Sequence, residues 1–195
     1  MLEFTEETHR YEWDGKWVVS VTQALEPLND YGGIPDWIMR QAAARGTAVH
    51  LICEYYDNGM LGDYPDELEP YLAAWEKFLA ETEFEIEQVE NRVYHPLYQF
   101  AGCIDRVGRF PNVKKQPKAV LDIKTTAKLM PIAGPQLAAY ETAYNLTNKE
   151  DPATQRWVCQ LKDDGTYTLL QHTDKADLST FLSCLNIHKW KEKHL

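Results

Sequence analysis

The amino-acid sequence predicts an α+β fold in which a central mixed β-sheet is flanked by helices. Three observations carry that prediction. Runs over 101–107 and 120–126 are rich in β-branched and apolar residues and have the period of strands. Asp-Gly steps at Asp14-Gly15 and Asp164-Gly165 each separate two further strand-like runs, as hairpin turns do. Segments 35–58 and 66–82 place apolar residues at helical spacing instead. The 195 residues suit one domain with a sizeable core. It divides into an N-terminal hairpin and leader over 1–34, a core over 35–162, and a C-terminal hairpin and helix to 195.

Taken in order, the aromatic and β-branched run 11–19 turns at Asp14-Gly15, and Ser20-Val21-Thr22-Gln23 fits a capping box that opens a short helix ending before Pro27. From Pro35 a helix runs to Asn58, where Gly59 stops it; Gly46 marks a break or a close contact. Val49, Ile52, Cys53 and Tyr56 supply its apolar face, while His50 and Glu54 share another. Leu68, Leu72, Trp75, Phe78 and Leu79 define a second amphipathic helix, and 84–94 alternates as the first strand of the sheet. A polar, lysine-bearing loop over 111–117 joins the two central strands. A helix over 135–145 carries Gln136, Tyr140 and Tyr144 on one side. Strands over 155–162 and 167–172 follow, and a terminal helix from Asp174 turns Leu178, Phe181, Leu182, Leu185 and Ile187 inward.

Strand parity gives the central runs a chemical meaning. Successive side chains point to opposite faces, so Asp122 and Lys124 share one face and Leu121 and Ile123 the other. On the preceding run Asp105 shares its face with Cys103 and Val107, opposite Ile104 and Arg106. If the two runs pair, Asp105 and Asp122 converge on one hard cation, and Mg²⁺ or Mn²⁺ suits two carboxylates. Two acids and a lysine so arranged point to a metal-dependent phosphodiesterase.

Asp105 followed by Asp122-Ile123-Lys124 resembles the signature of the PD-(D/E)XK nuclease superfamily, and Gln136 with Tyr140 resembles the Q-x-x-x-Y element of its RecB-like, phage-type exonuclease branch. Arg45-Gly46-Thr47-Ala48-Val49-His50 is similar to the G-x-x-x-H helix of that branch. The four elements occur in the family's order over 45–140. The resemblance implies a restriction-endonuclease-like core and DNA as substrate. It implies Asp105, Asp122 and Lys124 as catalytic residues. His50, Asp105, Asp122 and the Ile123 carbonyl would hold one or two Mg²⁺ or Mn²⁺ ions. Gln136 and Tyr140 would contact the DNA backbone or brace the site. It further implies hydrolysis to 5′-phosphate products in recombination, repair or phage DNA processing. Compatible partners are a single-strand annealing protein and further copies of the chain. Glu54 is read as solvated. Glu90 is read as a surface salt-bridge partner, with reach to the metal site as the alternative.

A formal net charge of −10 runs against simple phosphate binding, which rests on Lys and Arg. Arg106, Arg109, Lys114, Lys115, Lys118, Lys124 and Lys128 nevertheless gather around the motif strands, and Lys189, Lys191 and Lys193 lie near the end. Two alternatives therefore stand beside the exonuclease: an endonuclease on the same core, and a non-catalytic acidic protein that mimics DNA. The four cysteines are scattered without a C-x-x-C pair, so reduced thiols are expected and no iron–sulfur cluster. No apolar run reaches the length of a membrane span, and the first residues are acidic rather than signal-like. The chain is read as cytoplasmic, in a bacterial or phage-infected cell. No ATP-binding G-x-x-x-x-G-K-[ST] motif occurs.

Overall fold

The computed structural model describes residues 1–5, 10–29 and 32–195; positions 30 and 31 of the leader lie outside that set. The elements in order are β1 (Leu2–Thr5), β2 (Arg10–Trp13), β3 (Lys16–Ser20), α1 (Val21–Ala24), α2 (Asp36–Asp57), α3 (Glu69–Thr82), β4 (Glu85–His95), β5 (Phe100–Arg109), β6 (Lys118–Lys124), α4 (Ala133–Thr147), β7 (Ala153–Leu161), β8 (Tyr167–Gln171) and α5 (Asp177–His194). The predicted hairpins form where Asp14, Gly15 and Gly165 adopt positive φ. At Ser20 the capping box closes as predicted: its Oγ accepts from the Gln23 amide at 3.0 Å, and Gln23 Oε1 accepts from the Ser20 amide at 2.9 Å.

The sheet has eight strands in the order β1-β2-β3-β5-β6-β7-β8, with β4 also paired to β5. Strands β3 and β5 run parallel, as do β6 and β7, and the other pairs are antiparallel, so the sheet is mixed as predicted. Strand β1 had no clear signal in its four residues and extends the expected hairpin.

Side-chain parity along β6 divides the interior into two apolar layers. Val120 packs with Leu137, Tyr140 and Phe181 on the α4–α5 side, while Ala119, Leu121 and Ile123 pack with Val49, Trp75 and Phe78 on the α2–α3 side. Of the break or close contact expected at Gly46 neither occurs: helix α2 is continuous there, and a Cβ would stand 3.6 Å from Thr125 Oγ1, an ordinary contact. On α5, Ile187 is 47 % exposed rather than inward, and Cys184 takes the buried position one turn earlier.

One pairing detail positions the site. Strand β4 lies along one edge of β5 for its whole length, so β3 and β6 must share the other. Strand β3 pairs only with Phe100 and Ala101, and β6 only with residues 106–109. The edge between them carries no ladder. There the expected alternation of β5 slips: Ile104 and Val107 enter the same apolar layer, whereas Arg106 turns to the α2–α3 side over the Trp75 ring. The predicted sharing of a face by Ile104 and Arg106, and by Asp105 and Val107, is therefore corrected. Freed backbone groups at the fork need other partners, and Asp105 supplies one by accepting the Ile123 amide at 2.6 Å.

Close approach also fixes Gly108 next to the end of β4. A Cβ there would fall 2.2 Å from the Glu85 carbonyl oxygen and 2.7 Å from the Phe84 ring. Backbone cannot give way as a side chain can, so Gly108→Ala should destabilise by about 1–3 kcal/mol. Denaturant midpoints of the two proteins check this; equal midpoints would show that β4 shifts freely.

Candidate active site

The side chains that the sequence singles out meet at the fork. Helix α2 presents His50 to it, with Nε2 2.9 Å from the Ile123 carbonyl oxygen and Nδ1 3.6 Å from Asp105 Oδ1. An imidazole nitrogen that meets a carbonyl can only donate, which leaves the Nδ1 lone pair of the neutral ring facing the Asp105 carboxylate, two acceptors that a cation between them would reconcile. Two of the expected metal ligands, His50 and the Ile123 carbonyl, thus touch each other directly.

Glu90 completes a compact donor group. Among the described residues His50, Glu90 and Asp105 offer one ligand atom each within 4.8 Å of one another. Glu90 is no surface salt-bridge partner: it accepts from the fully buried Arg106 at 3.1 Å and from Cys103 Sγ at 3.3 Å. Its backbone φ is +47°, between Val89 and Asn91, which pair with Arg106 and Ile104 of β5. A lone Glu in an acidic run gives no sign of this, because the turn of the strand that aims it is a tertiary effect. Burial and the Asp105 charge raise the Glu90 carboxyl above its ordinary range, with Arg106 opposing. Glu54, four residues beyond His50, is half-buried and stands outside this group.

Asp122 stands beside the donor group rather than within it. Its Oδ2 lies 2.6 Å from Lys124 Nζ, and its Oδ1 accepts from Gln136 Nε2 at 3.1 Å. The same Gln136 nitrogen donates to the Tyr140 hydroxyl at 3.1 Å, so both amide hydrogens are engaged. Gln136 and Tyr140 are buried, an arrangement that braces Asp122 and leaves them little surface for a DNA backbone. A Cβ on Gly102 would fall 2.5 Å from the Tyr140 ring, so β5 is bare where that ring crosses it. Burial pushes the Asp122 carboxyl up to about 6, with Asp105 adding to the shift and Lys124 opposing it.

This donor set fits a hard divalent cation. Two ligands on one Mg²⁺ at about 2.1 Å stand at most about 4.2 Å apart, so small side-chain movements would close the group on an ion. Carboxylates and a carbonyl with one imidazole match Mg²⁺ or Mn²⁺ better than a thiolate-seeking metal. A cation would also offset the negative charge of Asp105, which adds to the effect of burial in raising Glu90 and Asp122.

The expected cationic surface is corrected. Arg106 is sealed against Asp57 and Glu90. Arg109 and Lys118 are each paired with Glu87 and Asp151. These three hold strands and loop together and are not free for phosphates. Beyond Lys124, Thr126 Oγ1 donates to the Lys128 carbonyl at 3.0 Å, and Thr125 faces Gly46 of α2. The leader helix α1 belongs to the core, since Val21 and Ala24 are fully buried.

No protein-family model and no curated protein sequence matches the chain. Solved structures do. The alkaline exonuclease LHK-Exo from Laribacter hongkongensis matches with a TM-score of 0.50 at 13% identity over 90% of this chain and 88% of that one. A candidate exonuclease from Eubacterium rectale matches with a TM-score of 0.57 at 13% identity over 89% of this chain and 79% of that one. The chain thus has an α+β fold similar to that of these exonucleases, as the sequence resemblance implied. No described helix is long and apolar enough to cross a membrane.

Proposed function

We propose that this chain, sharing its fold with exonucleases, is a Mg²⁺- or Mn²⁺-dependent deoxyribonuclease of the RecB-like type, an exonuclease that leaves 5′-phosphate ends. One observation carries the reading: His50, Glu90 and Asp105 form a compact donor group beside the Asp122–Lys124–Gln136 chain at the fork of the sheet. His50, Glu90, Asp105 and the Ile123 carbonyl would hold the ion, and Asp122 would join them once its carboxylate turns from Lys124. A bound divalent cation supplies a lowered pKa for water and charge stabilisation for an in-line displacement.

The chain's own residues supply the rest. Lys124 carries its ammonium into the cleft on a rigid strand, where it can stabilise negative charge on the attacking oxygen and the phosphoryl group. Gln136 fixes the orientation of Asp122, and Tyr140 fixes Gln136. Asp105 ties β5 to β6 through the Ile123 amide while its other oxygen faces His50. The substrate we assign is DNA, with roles in recombination, repair or phage DNA processing in the cytoplasm, carried by one domain.

Cleavage of end-labelled linear and closed circular DNA with Mg²⁺, Mn²⁺ or EDTA tests the reading, with Lys124→Ala as control. Metal-dependent loss of linear DNA with circles spared is the expected result. Nicked circles would make the enzyme an endonuclease. Inertness toward every substrate would favour the acidic DNA mimic, which the net charge and the internally paired Arg106, Arg109 and Lys118 already suit.

Metal binding has a second readout. An ion that binds only the folded chain stabilises it by about 2.7 kcal/mol at a concentration of 100 Kd. Mn²⁺ should therefore raise the melting temperature of the wild type and leave Asp105→Asn nearly unmoved. A wild type indifferent to millimolar Mn²⁺ would remove the metal site from the argument.

A further inference from the structure

The β2–β3 hairpin and the end of α5 enclose a groove of about 610 Å³ apart from the donor group, lined among others by Trp13, Lys16, Trp17, Tyr94, Lys189 and Lys193. We propose that this groove is a binding site for single-stranded DNA, separate from the site of cleavage. It combines the two features that such sites use: flat aromatic faces for stacking and ammonium groups for phosphates.

The aromatic part is preorganised. Trp13 stacks on Tyr94 with ring centroids 4.4 Å apart and 17° between planes. Trp17 keeps 59 % of its surface exposed although it is a large apolar residue on a short strand. The Arg10 guanidinium, 4.6 Å from the centre of the Trp17 ring, supports one side of the indole. An exposed tryptophan held upright in this way contributes nothing to the core, and it offers a base a rigid platform at low entropic loss.

The charge is distinctive in an acidic chain. Arg106, Arg109, Lys118 and Arg156 are all matched by carboxylates. Lys16, Lys191 and Lys193, by contrast, make no side-chain ion pair among the described residues. Lys189 is anchored to the Tyr98 carbonyl at 2.7 Å and so stands at a fixed place in the groove wall. Two acids, Asp14 and Glu192, also line the groove; Asp14 pairs with the Met1 amino group, and Glu192 stands against Lys16, Lys189 and Lys193. The balance is positive.

Position links the groove to the fork. Gln99, in the groove wall, precedes Asp105 by six residues along β5, a span of roughly 20 Å at the rise of a strand. The groove's affinity for single strands does not itself rest on the nuclease reading.

Fluorescence anisotropy with a labelled oligothymidylate, in EDTA so that nothing is cleaved, tests this. The wild type should bind, with affinity falling steeply as salt rises. Trp17→Ala should weaken binding about tenfold, and Lys16→Glu combined with Lys193→Glu should weaken it further and flatten the salt dependence. All three sites are exposed, and unchanged melting temperatures would show that the variants fold. Full-strength binding by both variants, or binding to vesicles of anionic phospholipid in place of DNA, would overturn the proposal. Loss of cleavage in Lys124→Ala is scored separately, so the groove and the nuclease reading can fail independently.

Discussion

Lys124→Ala protein is expected to bind DNA in EDTA as the wild type does and to cleave it at least about 100-fold more slowly with Mg²⁺. The expectation rests on where Lys124 stands. Its ammonium sits 2.6 Å from Asp122 Oδ2, at the last residue of β6, with 27 % of its side chain exposed. It is therefore close to the carboxylates yet open to a substrate. Preorganised charge aimed at a developing anion typically contributes a factor of 10²–10³ in rate, and truncation removes it whole. Folding should survive because the stem covers little of either apolar layer. Single-turnover rates on end-labelled duplex, with thermal melts alongside, separate the two effects. A variant that cleaves within a few-fold of wild type would strip Lys124 of the role. Slow cleavage with wild-type metal binding, read by the Mn²⁺ melting shift, would place the defect in chemistry rather than in the donor group.

How much of this was legible in the sequence follows from the range of the interactions involved. Local rules were sufficient for the capping box at Ser20, the two Asp-Gly hairpins and the apolar faces of α2 and α3, because each depends on residues within a few positions. Parity along β6 also held: a strand paired on both sides keeps its period, so Asp122 and Lys124 do share a face. On β5 the same rule failed at Asp105, where the strand has no partner on one edge and alternation is no longer enforced. Glu90 was misread for a related reason, since its positive φ has no local signature. Cationic residues were the hardest to place. Arg106, Arg109 and Lys118 cluster in sequence with Lys114 and Lys115, and nothing local distinguishes a buried guanidinium from a solvated one.

Arg106 shows what such a misread residue does, and Asp57→Ala exposes it with the largest expected loss of stability. The guanidinium is fully buried beneath the donor group. Its Nε donates to Asp57 Oδ2 at 2.5 Å, its Nη1 donates to Glu90 at 3.1 Å, and its plane lies 5.5 Å from the centre of the Trp75 ring. Asp57, at the end of α2, also accepts from the Trp75 indole at 2.8 Å. Removing Asp57 leaves a buried cation short of counter-charge and an indole N–H without its acceptor, a defect of about 3–5 kcal/mol. That is a large part of the 5–15 kcal/mol by which a domain of this kind is usually stable, in round figures. Urea midpoints would measure it. The pair is not stabilising merely by being ionic, since two charges taken from water recover little beyond their desolvation. Asp57→Leu combined with Arg106→Met should accordingly lose much less than Asp57→Ala alone. If instead the double substitution is the worse of the two, the pair contributes real net stability and not only mutual compensation. The double variant would still lack the donor that holds Glu90, so its Mn²⁺ melting shift should shrink even where its stability recovers. Arg106 would then be a positioning residue for the metal site, coupling the end of α2 to β4 across the fork.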